Sequence, residues 1–183
     1  HVDHSGQVVT SGGPTVKNVS GYDLCRLLVG SLGKWGCIAE VTLRCLPIPE
    51  TTLWLTGKMD PFELYNDLYR PSSILWNGDS IWVCLEGVKS DVESQAAKLK
   101  LEEVASPPDF PEGGRNSLEP GALKKLKRSS EVWLAEVGVG VVHRTQKQSP
   151  APLGEANKRL MRELEVRLDP NGRLNPGREL ITT

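Results

Sequence analysis

No stretch of this 183-residue chain approaches the roughly 18 consecutive apolar residues of a membrane-spanning helix, and no signal-peptide pattern is visible. Neither sign of charge is in excess. The 22 Lys and Arg stand against 23 Asp and Glu, for a net charge of −1. That balance gives no electrostatic reason to expect nucleic acid or an anionic membrane as partner. Cysteine is sparse: Cys25, Cys37, Cys45 and Cys84 form no CxxC pair and no His/Cys zinc spacing. The chain therefore carries no structural zinc site and no iron–sulfur ligand set of its own. Cys37 and Cys45 lie in apolar, strand-like sequence and are expected as reduced, buried core residues, which implies the cytoplasm. The common phosphate motifs are also missing. No Gly-Lys-Ser/Thr follows the glycines near the front, and a strand pattern, not a helix, follows Gly36, which excludes both a Walker loop and a dinucleotide G-x-G-x-x-G.

What is present is an ordinary balance of 38% hydrophobic and 25% charged residues, enough for one domain or two small ones. Two dense loops stand out. Thr15-Val16-Lys17-Asn18-Val19-Ser20-Gly21-Tyr22-Asp23-Leu24 is followed by Gly30-Ser31-Leu32-Gly33-Lys34-Trp35-Gly36-Cys37-Ile38, where glycines at every third position clear one side of the backbone. Far along the chain lies Asp169-Pro170-Asn171-Gly172-Arg173-Leu174-Asn175-Pro176-Gly177. By itself this second loop reads either as a helix stop or as a turn that offers Asn175 to a heterocycle. Together the two loops suggest that distant parts of the chain meet around one ligand.

The elements between them follow from pattern. His1 to Thr10 reads as a hairpin around Asp3-His4-Ser5-Gly6, and a chain beginning inside a hairpin reads as a fragment, a truncated product or a processed chain. Asp23 should cap a helical turn through Leu28, and Cys37 to Leu46 should be a half-buried strand. A strand over 51–58, a helix opened by Asp60-Pro61, and strands over 73–76 and 81–86 around Asn77-Gly78-Asp79 come next. A helix from Asp91 to about Val104, a loop over 105–121, a short basic helix over 122–127 and one long strand over 132–143 complete the middle. This order suggests a small antiparallel sheet with helices on one face, the split βαβ arrangement. A final amphipathic helix over 153–168 carries Leu160, Leu164 and Leu168.

Lys17-Asn18-Val19-Ser20-Gly21-Tyr22-Asp23-Leu24, then Gly30-Ser31-Leu32-Gly33-x-x-Gly36-x-Ile38-x-Glu40, then the 169–177 motif, resemble in content and order the FAD-linked oxidase family of the vanillyl-alcohol oxidase fold. Within it the likeness is to the FAD-binding E subunits of bacterial glycolate oxidases. The resemblance covers 1–46 and 153–178. It implies an α+β protein: a partial FAD-binding, PCMH-type subdomain plus a ferredoxin-like antiparallel cap. Residues 1–50 would be the C-terminal part of the FAD-binding domain, 51–150 the cap or substrate domain, and 151–183 a helix and closing motif returning to the FAD domain. The implied flavin contacts are Leu32, Gly33, Lys34, Trp35, Gly36, Cys37, Ile38 and Asn175. Lys34 and Trp35 stand where the family has Thr-Leu, and a bulky Trp there is expected to crowd the adenosine. The family's glycine-rich pyrophosphate cradle belongs upstream of His1, so FAD binding by this chain alone is expected to be weak or lost.

The same resemblance implies oxidation of a small 2-hydroxy acid such as glycolate, with electrons passing through FAD to an iron–sulfur partner subunit. Related D-2-hydroxyacid dehydrogenases carry an H-x-G-D-G-N-x-H strand. Here His143 matches its last histidine and is the candidate catalytic base. Glu136 replaces the first histidine, and Val139 and Val141 replace Asp and Asn, so no metal site is expected. On one regular strand Glu136 and His143, seven apart, would face opposite sides. Arg144 is a further nominee for gripping a carboxylate. The rival reading is a non-catalytic assembly subunit, or a truncated remnant that no longer binds FAD.

Overall fold

The computed structural model describes residues 1–13, 23–126, 131–147 and 153–178. The motif residues Lys17, Asn18 and Tyr22, and the basic residues Lys127 and Arg128, lie outside these. The chain divides into two compact units, one of 1–46 with 151–183 and one of 47–150.

The first unit starts with the expected hairpin. Val2 bridges Val8 antiparallel, and the Asp3 carboxylate takes the backbone N–H groups of Ser5 and Gln7 at 2.8 and 3.0 Å. Val2 also bridges Cys37. Asp23 caps helix α1 (Leu24–Leu28) through the Arg26 N–H, as its residue type and position imply. Turns then carry the chain past Ser31 and Lys34 to Gly36. A side chain at Gly36 would strain the backbone and displace its neighbours: its Cβ would stand 2.8 Å from the His1 ring and 3.1 Å from Leu28, at φ +155°. Beyond Cys37 the expected strand is not formed. Among the described residues 38–46 joins no ladder, and Ile38, Val41, Leu43 and Leu46 are exposed. A half-buried strand needs a paired neighbour and a surface to cover its apolar side, and the described residues of this unit supply neither. Cys25, Cys37 and Cys45 are consequently exposed, which corrects the expected burial of Cys37 and Cys45. Only Cys84, in the other unit, is buried.

Helix α4 (Glu155–Leu168) closes the first unit. Its leucine row is only partly used: Leu164 and Leu168 are half-buried, whereas Leu160 is exposed. Asp169 ends it and is itself buried.

The second unit is a seven-stranded antiparallel sheet in the order β4-β1-β3-β2-β6-β7-β5. Its first part is β1 (Thr51–Gly57), α2 (Pro61–Asp67), β2 (Ser73–Trp76), β3 (Ile81–Gly87), α3 (Lys89–Ala96) and β4 (Glu102–Val104). β3 lies antiparallel between β1 and β2, which gives the split βαβ arrangement expected from the element order. Asp60 accepts from the N–H groups of Phe62 and Glu63 to start α2, with Pro61 in its first turn. Leu55, Leu64, Ile74, Ile81, Val83, Leu85 and Val92 form the core under the two helices. Phe62 and Trp76 join this core to a second one of Leu123, Trp133, Ala135 and Val142. The rings of Phe62, Trp76 and Trp133 meet edge-on at 5.7 and 5.2 Å.

Three expectations are corrected here. The helix from Asp91 stops at Ala96, and Glu102–Val104 is an edge strand beside β1, with Val104 opposite Trp54. Leu99 and Leu101 pack on the first core and turn the chain toward that edge; two consecutive glutamates carry no strand pattern but suit an edge. The loop over 105–121 contains β5 (Gly114–Ser117), paired with β7. Finally, 132–143 is two strands, β6 (Trp133–Glu136) and β7 (Val141–Arg144). Gly138 and Gly140, at φ +90° and +83°, fold the chain back between them.

Candidate functional site

In the first unit a pocket of about 380 Å³ is walled by two loops, Leu32, Gly33, Gly36, Cys37 and Ile38 on one side and Arg173, Leu174 and Asn175 on the other. The second loop is built by Asp169. Its two carboxylate oxygens accept from the backbone N–H groups of Arg173 (3.0 Å) and Leu174 (2.7 Å). Burial alone would raise the Asp169 pKa, but these two N–H groups, with positive charge at His4 and Lys34, hold it below the ordinary aspartate value. The turn then places Asn175 at φ +40°, a conformation asparagine tolerates better than most residues. Its Nδ2 donates to the Leu32 carbonyl at 2.6 Å, and Leu32 is itself at φ +51°. Across 143 positions of sequence, Asn175 ties the two loops together.

Six of the eight nominated flavin contacts, namely Leu32, Gly33, Gly36, Cys37, Ile38 and Asn175, line this pocket. Lys34 and Trp35 do not. The Lys34 ammonium reaches Glu165 of α4 at 3.5 Å. Trp35 is buried beside Leu24, Leu28 and Leu168, where it lines a separate cavity of about 250 Å³. The expectation that Trp35 crowds a bound nucleotide is thereby corrected: both substituted side chains turn into the unit's own packing. Arg173 and Leu174 were missed, although the turn that carries them was visible in the sequence.

The pocket suits a flat heterocycle. Leu32, Ile38 and Leu174 provide apolar contact, Gly33 leaves its side of the backbone bare, and Arg173 and the Asn175 carbonyl supply polar ends.

The second unit holds a different constellation. In the β6–β7 register Leu134 lies opposite His143 and Glu136 opposite Val141. Glu136 and His143 are therefore diagonal neighbours on one face, not residues on opposite sides of a single strand. His143 Nε2 and Glu136 Oε1 are 2.6 Å apart, with the side chains 17% and 31% exposed. Phe110 stands edge-on to the imidazole at 4.6 Å. Arg144 faces the other way, beside Trp133 in register, and is paired with Glu131 at 2.6 Å. It is thus engaged within the fold, against its nomination as a carboxylate grip. Directly opposite His143 on β5 is Arg115, which is exposed and makes no ion pair among the described residues. Among the described residues no group of three or more His, Cys, Asp or Glu side chains is placed to hold a metal.

Three comparisons bear on these two loci. The chain is 27% identical to glycolate oxidase subunit GlcE of Escherichia coli (strain K12), over 95% of its own length and 62% of that protein's. It is 45% identical over 47 residues to glycolate oxidase subunit GlcD of Bacillus subtilis (strain 168), covering 26% of the chain and 10% of the relative. Over 42 residues it is 48% identical to a D-lactate dehydrogenase of Archaeoglobus fulgidus, covering 23% and 10%. The chain thus spans 62% of the length of the relative it matches most extensively among these. No family model and no solved structure matches it.

Proposed function

We propose, for a chain that belongs to the FAD-linked oxidase family, that it is a subunit of a flavin-dependent oxidoreductase acting on a small 2-hydroxy acid such as glycolate. The observation that carries this reading is the pocket between the Leu32–Ile38 and Arg173–Asn175 loops, closed by the Asn175–Leu32 hydrogen bond. Both loops belong to motifs that resemble the family's PCMH-type FAD-binding domain, and the names of the relatives are those of hydroxy-acid oxidases and dehydrogenases.

The residues fit the cofactor. The bare backbone at Gly33 and the apolar side chains of Leu32, Ile38 and Leu174 would hold one face of a ring system, and Arg173 would meet its polar end. When bound, FAD supplies the two-electron acceptor. This chain's own residues do the rest. Asn175 keeps the walls at a fixed spacing, and Lys34 and Trp35 anchor the glycine loop to its own unit. His143, on β7, is the proposed base for the substrate hydroxyl proton. Onward transfer to an iron–sulfur partner subunit, and residence in the cytoplasm, belong to the same proposal. Relatives named as glycolate oxidase subunits support the part that concerns partner chains.

The test is the visible spectrum of the purified protein, read together with turnover of glycolate and D-lactate using an artificial electron acceptor. The expected result, with FAD supplied in excess, is a flavin band that weakens further on Asn175→Ala, with turnover of at least one acid. Colourless protein that still co-purifies with partner subunits would overturn the reading in favour of a non-catalytic assembly subunit.

A further inference from the structure

We infer that Glu136 is the positioning residue of His143: it fixes the imidazole with its proton on Nε2 and leaves Nδ1 as the proton-accepting nitrogen. The inference rests on the proposed function only for the identity of the acid that His143 serves.

The geometry begins with the hairpin. Gly138 and Gly140 turn the chain so that Glu136 pairs with Val141 and Leu134 with His143. That register carries Glu136 and His143 on the same face as diagonal neighbours, within reach of long side chains. The resulting contact, 2.6 Å between Nε2 and Oε1, is short for a nitrogen donor, as charge-assisted bonds are. An ionised carboxylate has only acceptor sites, so the hydrogen between the two atoms resides on Nε2. A neutral imidazole carries one N–H, and Nδ1 then holds the lone pair. Phe110, edge-on at 4.6 Å, restricts rotation of the ring about this bond. Arg115 lies directly opposite His143 in the β5–β7 register. Arg144, one residue further along β7, faces away and is paired with Glu131.

The chemical consequence concerns the substrate's hydroxyl proton. The O–H bond breaks, its proton passes to Nδ1 and its electron pair stays on the oxygen. The imidazolium that results carries an N–H on both nitrogens, one of them already directed at the Glu136 carboxylate. Without that carboxylate the ring is free to turn, and neither nitrogen is held in place.

Nitrogen-15 NMR of the chain labelled at histidine reads the tautomer directly. With three histidines in the whole sequence, His143→Gln assigns the signal. The expected spectrum has a protonated Nε2 and an unprotonated Nδ1 at pH above the ring's titration. In Glu136→Leu the acceptor is gone, and the Nε2 proton, held against exchange with water in the wild type, is expected to exchange freely; Glu136→Asp, still an acceptor, should keep the original form and guards against a folding failure. A wild-type ring protonated on Nδ1, or a Glu136→Leu variant whose Nε2 proton stays as protected as in wild type, would overturn the inference. In the flavin-loaded protein, Glu136→Leu should lower kcat by about 10²–10⁴-fold, the range of a general base, with KM changed less than about threefold. Unchanged kcat would equally overturn it. If the wild type turns over neither acid, the proposed function fails, and the NMR result alone decides the role of Glu136.

Discussion

Replacing Asn175 separates the two forces that close the pocket. Its Nδ2 bond to the Leu32 carbonyl is short but at the surface, so its loss costs about 1 kcal/mol. Its backbone, at φ +40°, adds a second cost for any residue with a Cβ and no local hydrogen-bonding side chain, about 1–2 kcal/mol. Asn175→Gly removes only the first, and Asn175→Ala removes both. At ~1.4 kcal/mol per tenfold, the glycine variant should populate the open loop about 5-fold more than wild type. The alanine variant should do so roughly 30- to 150-fold more. Hydrogen exchange at the backbone N–H groups of 32–38 and 173–178 reads that population directly, and flavin affinity should fall in the same order. Equal, small effects from both variants would refute the reasoning: the turn would then be held by Asp169 alone, and Asn175 would not be the tie between the loops.

Two further outcomes follow from the same structure. The carboxyl of Asp169 is held below its ordinary pKa of about 3.8. Its contribution to the 169–175 turn is therefore fully present above that value and disappears as pH falls through the lower folded value. Exchange protection of the Arg173 and Leu174 N–H groups should be flat from neutral pH to about 4 and collapse below it, and Asp169→Asn should abolish that dependence; protection that already declines between pH 6 and 4 would contradict the assignment. Thiol titration at pH 8 should find Cys25, Cys37 and Cys45 reactive and Cys84 silent until the chain is unfolded. Burial, with the nearby Glu86 charge, pushes the Cys84 thiol up to about 11, so almost no thiolate is present. A fourth fast equivalent would show that the sheet around Cys84 opens readily.

Local rules were legible wherever one residue type had a single strong reason for its place. Asp23 and Asp60 read as helix caps and are caps, each accepting from backbone N–H groups at the start of its helix. Asn77-Gly78-Asp79 read as a hairpin, and β2 and β3 pair around it. What failed were segments whose state depends on a distant neighbour. Glu102–Val104 looks like the tail of a helix until Leu99 and Leu101 find the core and deliver it to the edge of β1. Residues 38–46 have the apolar content of a strand, yet content alone supplies no pairing partner.

The candidate site divides along the same line. The sequence by itself determined that two glycine- and asparagine-bearing loops exist, that they are of the kind found in FAD-linked oxidases, and that His143 lies on a strand. It did so because backbone conformations and turn chemistry are written within a few residues. Only the tertiary structure decided which side chains face the pocket, turning Lys34 and Trp35 into the packing and bringing in Arg173 and Leu174. It also split 132–143 at Gly138 and Gly140, which set Glu136 against His143. Side-chain direction depends on register and packing between segments far apart in sequence, and a one-residue change in either reverses the face.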